Sequence, residues 1–332
     1  MRSIDIHAHY FAQGLLRAGA AGKEWHGMKL ERDARGRDVV VVGSRRSGQA
    51  PKRRWTLEER MQEMDSLGTD VHVLSAATYF YNYEIPANLC IASSREINNE
   101  LSDAAKTYPT RYSGLATLPM QDIPAAIAEL ERAVGKLGLK GAMIGDNVNG
   151  RWYDEPEFLP FFKAADQAGA LILFHQLAGV PVVDRRTRRY HLGNTIGNLV
   201  QRSMAYASLV FGGVMDACPN LQVCLCHGGG YVCFGVGRMD RGWEVRPEAR
   251  VHIKQPPSKY LRRFHYDCLV YTEEALRFLV DTVGADRVVF GTDWPADMEL
   301  DWPVAWILKM DSLTQEEKEL ILWKNLERLL RI

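Results

Sequence analysis

Two histidines stand two positions apart near the start of the chain, in Asp5-Ile6-His7-Ala8-His9. Side chains on a β-strand alternate between its faces, so at this spacing both imidazoles project the same way and can grip one metal ion. Three further apolar runs end in a group able to join them. Leu171-Ile172-Leu173-Phe174 ends in His175, Val223-Cys224-Leu225-Cys226 leads to His227-Gly228-Gly229-Gly230, and Val288-Val289-Phe290-Gly291-Thr292 leads to Asp293-Trp294-Pro295. A His-x-His pair alone is a weak signal, because packed or exposed histidines are common. Agreement among four strand ends is not what packing produces, and it points to a divalent ion held by His7, His9, His175 and Asp293. Three imidazoles and a carboxylate suit Zn2+ with a position left for water, while iron, manganese or cobalt accept similar donors. Such an ion lowers the pKa of bound water to about 7. His227 is then a base beside the ligands, and the glycines after it let backbone approach closely.

Eight short apolar runs, at 3–9, 70–75, 112–117, 140–144, 170–175, 221–227, 264–268 and 287–291, read as strands. Amphipathic stretches at 56–67, 123–137, 156–168, 196–216 and 273–283 read as helices between them. Strand–helix alternation implies a parallel sheet covered by helices, and eight repeats favour an α/β fold closed as a (β/α)8 TIM barrel. In such a barrel the polar strand ends listed above share one rim, where barrel enzymes keep their chemistry. Residues 1–332 form a single domain, with a small inserted subdomain at about 11–55, after strand one, that holds the hairpin-like run Val39-Val40-Val41-Val42. A second long loop, 179–195, is basic and follows strand five. Residues 314–332 read as helices packed on the outside.

The 332 residues are 46% hydrophobic and 25% charged, with 41 basic and 41 acidic side chains. Zero net charge excludes a global field for nucleic acid. No apolar run reaches the ~20 residues that span a bilayer, so no membrane partner is expected. Six cysteines without a CxxC pair, several inside apolar runs, behave as small hydrophobes, and with no signal-peptide pattern the expected compartment is the cytoplasm. The local basic clusters at Arg45-Arg46, Lys52-Arg53-Arg54, Arg185-Arg186 and Arg188-Arg189 are either solvated loop faces or a site for an anionic substrate.

The stretches Asp5 to His9, Arg60 to Asp65 (RMQEMD), Gly114 to Met120 (GLATLPM), His227 to Gly230, Val236-Gly237-Arg238 and Gly291 to Pro295 run in order through nearly the whole chain. This pattern resembles the amidohydrolase superfamily, and within it the 2-amino-3-carboxymuconate-6-semialdehyde decarboxylase branch. The resemblance implies a zinc-dependent, non-oxidative decarboxylation of a small unsaturated or aromatic carboxylic acid, as in aromatic compound catabolism. It implies His7, His9, His175 and Asp293 as ligands, with His227 activating the metal-bound water. It also implies a homodimer in which Arg238 and Arg246 reach across the interface to substrate carboxylates, a task suited to the bidentate guanidinium. The alternative within the same superfamily is a hydrolase or hydratase acting on a lactone, cyclic amide or unsaturated acid, since one ligand set serves both.

The chain departs from the branch in places. Gln176-Leu177 follow His175 where the branch carries Pro and Trp, and the aromatic contact after strand five is replaced by a polar residue around Asn194. The insertion does not align, so Arg45, Arg46, Arg53 and Arg54 stand as candidates for the arginine the family contributes there. Asn194 and Trp294 are further expected substrate contacts. His72, with apolar neighbours, reads as a core or loop-anchoring residue, and His191 as structural.

Overall fold

Short runs of Val, Ile, Leu and Phe alternate with helices along the chain, and in the computed structural model the runs become parallel strands. The structure describes residues 1–48, 51–177, 187 and 189–332, the side chains of Pro51 and Arg53 excepted. Its strands are β1 (Ile4–Tyr10), β2 (Met28–Arg32), β3 (Asp38–Val42), β4 (Arg45–Gly48), β5 (Val71–Ala76), β6 (Tyr112–Leu115), β7 (Gly141–Gly145), β8 (Leu171–His175), β9 (Gln222–Leu225), β10 (Phe264–Asp267) and β11 (Val288–Val289).

β1, β5 and β6 form one parallel sheet, and β7 through β11 form another in sequential order. Two seams join them into a ring of eight. At one, Ala116 bridges Ala142 in parallel, with Met143 N–H donating to Ala116 O. At the other, Ala8 bridges Trp294, while Ile6 N–H donates to Phe290 O and His9 N–H to Trp294 O. The last strand was expected over 287–291 but pairs with β10 only at Val288 and Val289. Beyond them the chain turns its hydrogen bonds toward β1, which brings Asp293 N–H onto His7 O.

Strand interiors are apolar because both faces are covered: Leu171 to Phe174 and Val223 to Cys226 are essentially inaccessible. All six cysteines are free and buried. Helices start where caps permit. Thr56 and Glu59 form a reciprocal capping box at Leu57–Leu67, and Gly68 closes that helix in the left-handed region. Asp122 and Thr272 cap Ile123–Gly135 and Glu273–Val283. No described helix is long and apolar enough to cross a membrane.

The insertion holds more than a hairpin. A helix at Gln13–Ala20 precedes an antiparallel sheet of β2, β3 and β4, with Leu30 opposite Val40 and Val40 opposite Ser47. The helix Ala87–Thr107 was not expected from the sequence. Its buried face includes Ser93, Ser94, Asn98 and Ser102, which hide the apolar period. Much of the basic loop, including Arg185, Arg186 and Arg188, lies outside the described residues.

Candidate metal centre

The alternation of β1 sends Asp5, His7 and His9 into the barrel while Ile4, Ile6 and Ala8 face the helices. His7 Nε2 lies 3.2 Å and His9 Nε2 3.0 Å from the same oxygen, Asp293 Oδ1. His175, at the end of β8, brings its ring centroid to 4.9 Å from those of both His7 and His9. One donor atom from each of His7, His9, His175 and Asp293 falls within 4.8 Å of the others, and all four residues are buried.

Two of these imidazoles are engaged through Nδ1, which turns Nε2 toward the cluster. Asp267, at the end of β10, takes His7 Nδ1 at 2.8 Å with both side chains fully buried. Burial opposes ionisation of Asp267, yet the hydrogen bond and charge of His7 hold its carboxyl below the ordinary range. An ionised carboxylate only accepts, so Nδ1 carries a proton toward Asp267 and Nε2 is the nitrogen turned to the cluster. Burial opposes the charge of His7, yet Cys226, Asp293 and Asp267 raise it well above the ordinary histidine value, so a cation binding there displaces the Nε2 proton. His175 Nδ1 faces Gln176 O at 3.3 Å, and its Nε2 is buried with no hydrogen-bond partner among the described residues. Burial, then the neighbouring imidazoles, push His175 well below the ordinary histidine value, which leaves it neutral. Burial likewise penalises Asp293, but His7, His227 and His9 hold its carboxyl well below the usual carboxylate range. A neutral imidazole with an unpartnered buried nitrogen, a second with its outer nitrogen tied to a carboxylate, and an ionised Asp make a donor set that fits a divalent cation.

His7, Cys226 and Asp267 also lie close enough for an ion. There, however, the facing nitrogen and oxygen are already bonded to each other, and burial pushes the Cys226 thiol up, toward its protonated form. The His7, His9, His175 and Asp293 set is therefore the better site.

His227 follows β9 and points Nε2 at Asp293 Oδ2, 3.7 Å away. It and Asp293 occupy left-handed backbone, at φ 56° and 63°. For non-glycine residues this costs roughly 1–3 kcal/mol each and persists only where surroundings enforce it. Here Gly230 N–H donates to His227 O, and Asp293 N–H to His7 O. Gly230 itself, at φ 65°, leaves no room for a Cβ, which would fall 2.2 Å from Leu199 O.

Around the ligands lies a buried polar layer. Asp5 accepts from Thr292 Oγ1 at 2.6 Å and from His7 N–H, and burial pushes its carboxyl up to about 6. Arg60 donates to His9 O and His72 Nδ1, while its guanidinium stacks 4.0 Å over Trp294. His72 is thus a buried core residue, the first of the two readings its apolar neighbours suggested. On the other side Arg202, fully buried, donates to Asp146, to Cys226 O and toward Gln176 Oε1 and His227 Nδ1.

Two hollows flank the cluster. One of about 240 Å³ beside His227 is lined by Asn194, Asn198, Leu269, Tyr271 and Met298 among others. A smaller one, about 20 Å³, lies by His9 between Lys52, Trp55, Arg60 and Trp294. A larger hollow near Met1 and Ile332 contains none of the cluster's residues. Asn194 thus sits beside the cluster, and Trp294, 4% exposed, walls it. Arg45, Arg46 and Arg54 do not reach it. Arg45 binds Glu84 and Asn82, Arg46 binds Glu31 and Arg54 binds Asp38, so they brace the small sheet, and the Arg53 side chain is not described. Lys52 reaches it instead, held 2.6 Å from both Glu63 and Glu299. Arg238, in the helix Val232–Val245, and Arg246 after it are exposed, and Arg246 pairs with Glu248. Sequence reasoning missed Asp267 and Arg202, while Lys52 stood out only as part of a basic cluster read as a loop face or an anionic-substrate site. Asp267 carried part of the ligands' signal, a polar residue closing a strand.

The amidohydrolase family profile matches residues 4–332. The chain belongs to this family. Within it the chain falls in the 2-amino-3-carboxymuconate-6-semialdehyde decarboxylase branch: it is 33% identical over 274 residues to that enzyme from Dictyostelium discoideum, covering 82% of this chain and 75% of the relative. The 5-carboxyvanillate decarboxylase from Sphingomonas paucimobilis is similar in structure, with a TM-score of 0.84 and 26% identity over 100% of this chain and 99% of the other. A dihydroxybenzoic acid decarboxylase from Polaromonas sp., solved with bound manganese and 2-nitroresorcinol, shares the fold at a TM-score of 0.80 and 22% identity, covering 99% and 97%. This amidohydrolase is an enzyme of the carboxy-lyase class.

Proposed function

We propose that this amidohydrolase decarboxylates a small unsaturated or aromatic carboxylic acid without an oxidant, with the divalent ion held by His7, His9, His175 and Asp293. The observation that carries the reading is the convergence of those four donors at the rim of the ring, with two imidazoles oriented through Nδ1 so that Nε2 faces the others. Three nitrogens and one oxygen suit zinc, although the manganese in the Polaromonas relative makes that metal the one to compare.

A bound divalent ion supplies Lewis acidity to a substrate oxygen near the reacting carbon. The protein does the rest. The hollow beside His227 takes the acid's apolar body against Leu269 and Met298, and Asn194 and Asn198 offer amides to its polar substituents. His227 is placed to donate or receive a proton at the substrate. Breaking the carbon–carboxylate bond leaves its electron pair on carbon, a proton takes the place of CO2, and buried donors that face the developing charge lower the barrier.

Residues 1–332 act as one catalytic domain, with 11–55 forming a wall over the His9 side. Arg238 and Arg246 are exposed, Arg246 with only the surface partner Glu248 to give up, which supports a homodimer that holds the substrate carboxylate from both sides. Free, buried cysteines suit a cytoplasmic enzyme.

The test is turnover of metal-loaded protein with a panel of phenolic and muconate-type acids, following CO2. CO2 release that is lost with the metal in His175→Ala supports the reading. Turnover of a lactone or cyclic amide with no CO2 from any acid overturns it in favour of a hydrolase. Zinc and manganese reconstitution ranks the metals. Activity recovered on mixing inactive His175→Ala and Arg246→Ala proteins supports the shared dimer site, and no recovery removes it.

A further inference from the structure

Arg202 has no role in the reading above. It leaves the helix Leu199–Phe211 and crosses beneath the pocket side of the ring, joining the ends of three consecutive strands. Its Nη1 binds Asp146, which follows β7, and its Nε donates to Cys226 O at 3.1 Å, at the end of β9. Its Nη2 lies 3.4 Å from Gln176 Oε1, just past β8, and 3.5 Å from His227 Nδ1. The side chain is 0% exposed. Bulk solvent does not reach it, so the guanidinium's geometry decides what its neighbours present to it.

A guanidinium carries N–H groups and no lone pair. Facing it, an imidazole nitrogen can present a lone pair but not another N–H. Arg202 cannot swing away, because Asp146 and Cys226 O fix it from two other sides. The contact to His227 is long for a hydrogen bond, yet an N–H on Nδ1 would set two donors head to head in a buried space, the arrangement with the heaviest penalty.

We infer that Arg202 is a positioning residue that holds His227 neutral in the tautomer with its proton on Nε2, so that the ring meets the substrate as a hydrogen-bond donor. This rests on the decarboxylase reading and decides between the two roles left open for His227. In the resting site Nε2 has no lone pair with which to take a proton. It has an N–H on the side of the ring that faces the centre, with Asp293 Oδ2 3.7 Å away, and a substrate oxygen that comes within reach of Nε2 receives that hydrogen bond as negative charge builds on it. A neutral imidazole used as an electrophile in this way is a known solution to charge stabilisation.

The experiment is nitrogen NMR of zinc-loaded protein carrying 15N-histidine, with His227→Gln identifying the His227 signals. The expected wild-type pattern is an unprotonated Nδ1 and a protonated Nε2. In Arg202→Met combined with Asp146→Leu, which leaves no orphan carboxylate, a proton should appear on Nδ1. Arg202→Lys should keep the wild-type pattern. On whichever acid the wild type decarboxylates, the double variant should lose about 10- to 100-fold in kcat, with KM changed less, and Arg202→Lys should recover part of it. A wild-type spectrum with the proton on Nδ1 overturns the inference even if neither variant folds, and so does a double variant with an unchanged tautomer. If no acid releases CO2, the decarboxylase reading falls while the tautomer result still decides the role of Arg202.

Discussion

Asp267 and His7 meet at 2.8 Å with no solvent access to either, so one carboxylate sets which nitrogen of His7 faces the metal centre. Asp267 is not a ligand in this arrangement. It also accepts from Gly228 N–H at 2.9 Å, which ties β10 to the turn that carries His227. Replacing it with Asn keeps the shape but presents a neutral group, and Asn can turn either its oxygen or its amide to the ring. Asp267→Asn is expected to weaken metal affinity by about 10- to 100-fold, the usual cost of losing an outer partner of a metal-bound histidine. Competition with a zinc chelator measures it, and unchanged affinity would show that His7 is oriented by packing alone.

Much of this arrangement was legible beforehand. The parity of His7 and His9 follows from strand alternation, and their partners stand at the ends of apolar runs because strands of a barrel finish at one rim. Asp267 closes a strand by the same rule, but His265 inside Phe264-His265-Tyr266 interrupts the apolar run that marks the other strand ends. Arg202 gave no signal at all. An arginine in a helical sequence looks solvated, and only the placement of Asp146, distant in sequence, shows it buried. Arg45, Arg46 and Arg54 drew notice as a charge cluster, but their partners Glu84, Glu31 and Asp38 were scattered, so sequence could not tell a braced sheet from a substrate anchor. The helix Ala87–Thr107 escaped because Asn98, which should face water, is instead satisfied inside by Thr117 and Glu129.

Gly230 is required by its neighbour's backbone. A Cβ there would meet Leu199 O at 2.2 Å, and neither a carbonyl in a helix nor the φ of 65° can give way cheaply. Gly230→Ala should destabilise the protein by at least ~2 kcal/mol, from steric overlap and backbone strain together. Because the glycine N–H holds His227 O, activity should fall further than the folded fraction does. Denaturant unfolding and kcat on the same samples separate the two effects, and equal losses would place the whole effect on stability.

Lys52 reaches the His9 side of the site but is shared by Glu63 and Glu299. A substrate carboxylate entering there competes with those two acids. Lys52→Met is therefore expected to raise KM by several-fold to about tenfold, the worth of roughly 1 kcal/mol in an incompletely buried ion pair, with kcat less affected. Its metal content should stay at the wild-type level, because no metal donor touches Lys52. A drop in metal content would show instead that the Lys52 cluster supports the centre through Trp294, whose Nε1 donates to Glu63.

At the opposite end of the ring His265 gives the fold a dependence on pH that involves no ligand. It is 3% exposed, and burial first, then the charges of Arg287 and Arg328, lower its pKa to about 4. An unfolded histidine titrates near 6.5. Between these values the unfolded chain holds a proton here that the folded chain does not, so stability rises with pH across that window. The contribution is complete above about pH 6.5 and declines as pH falls toward 4, by about 3 kcal/mol in all at ~1.4 kcal/mol per pKa unit. His265→Gln should flatten that part of the stability curve relative to wild type while leaving the slope above pH 7 unchanged. Urea midpoints at half-unit steps from pH 4.5 to pH 8, taken on both proteins, check it. Parallel curves would mean that His265 takes up its proton without unfolding, through a shift of Arg287 or Arg328 toward water.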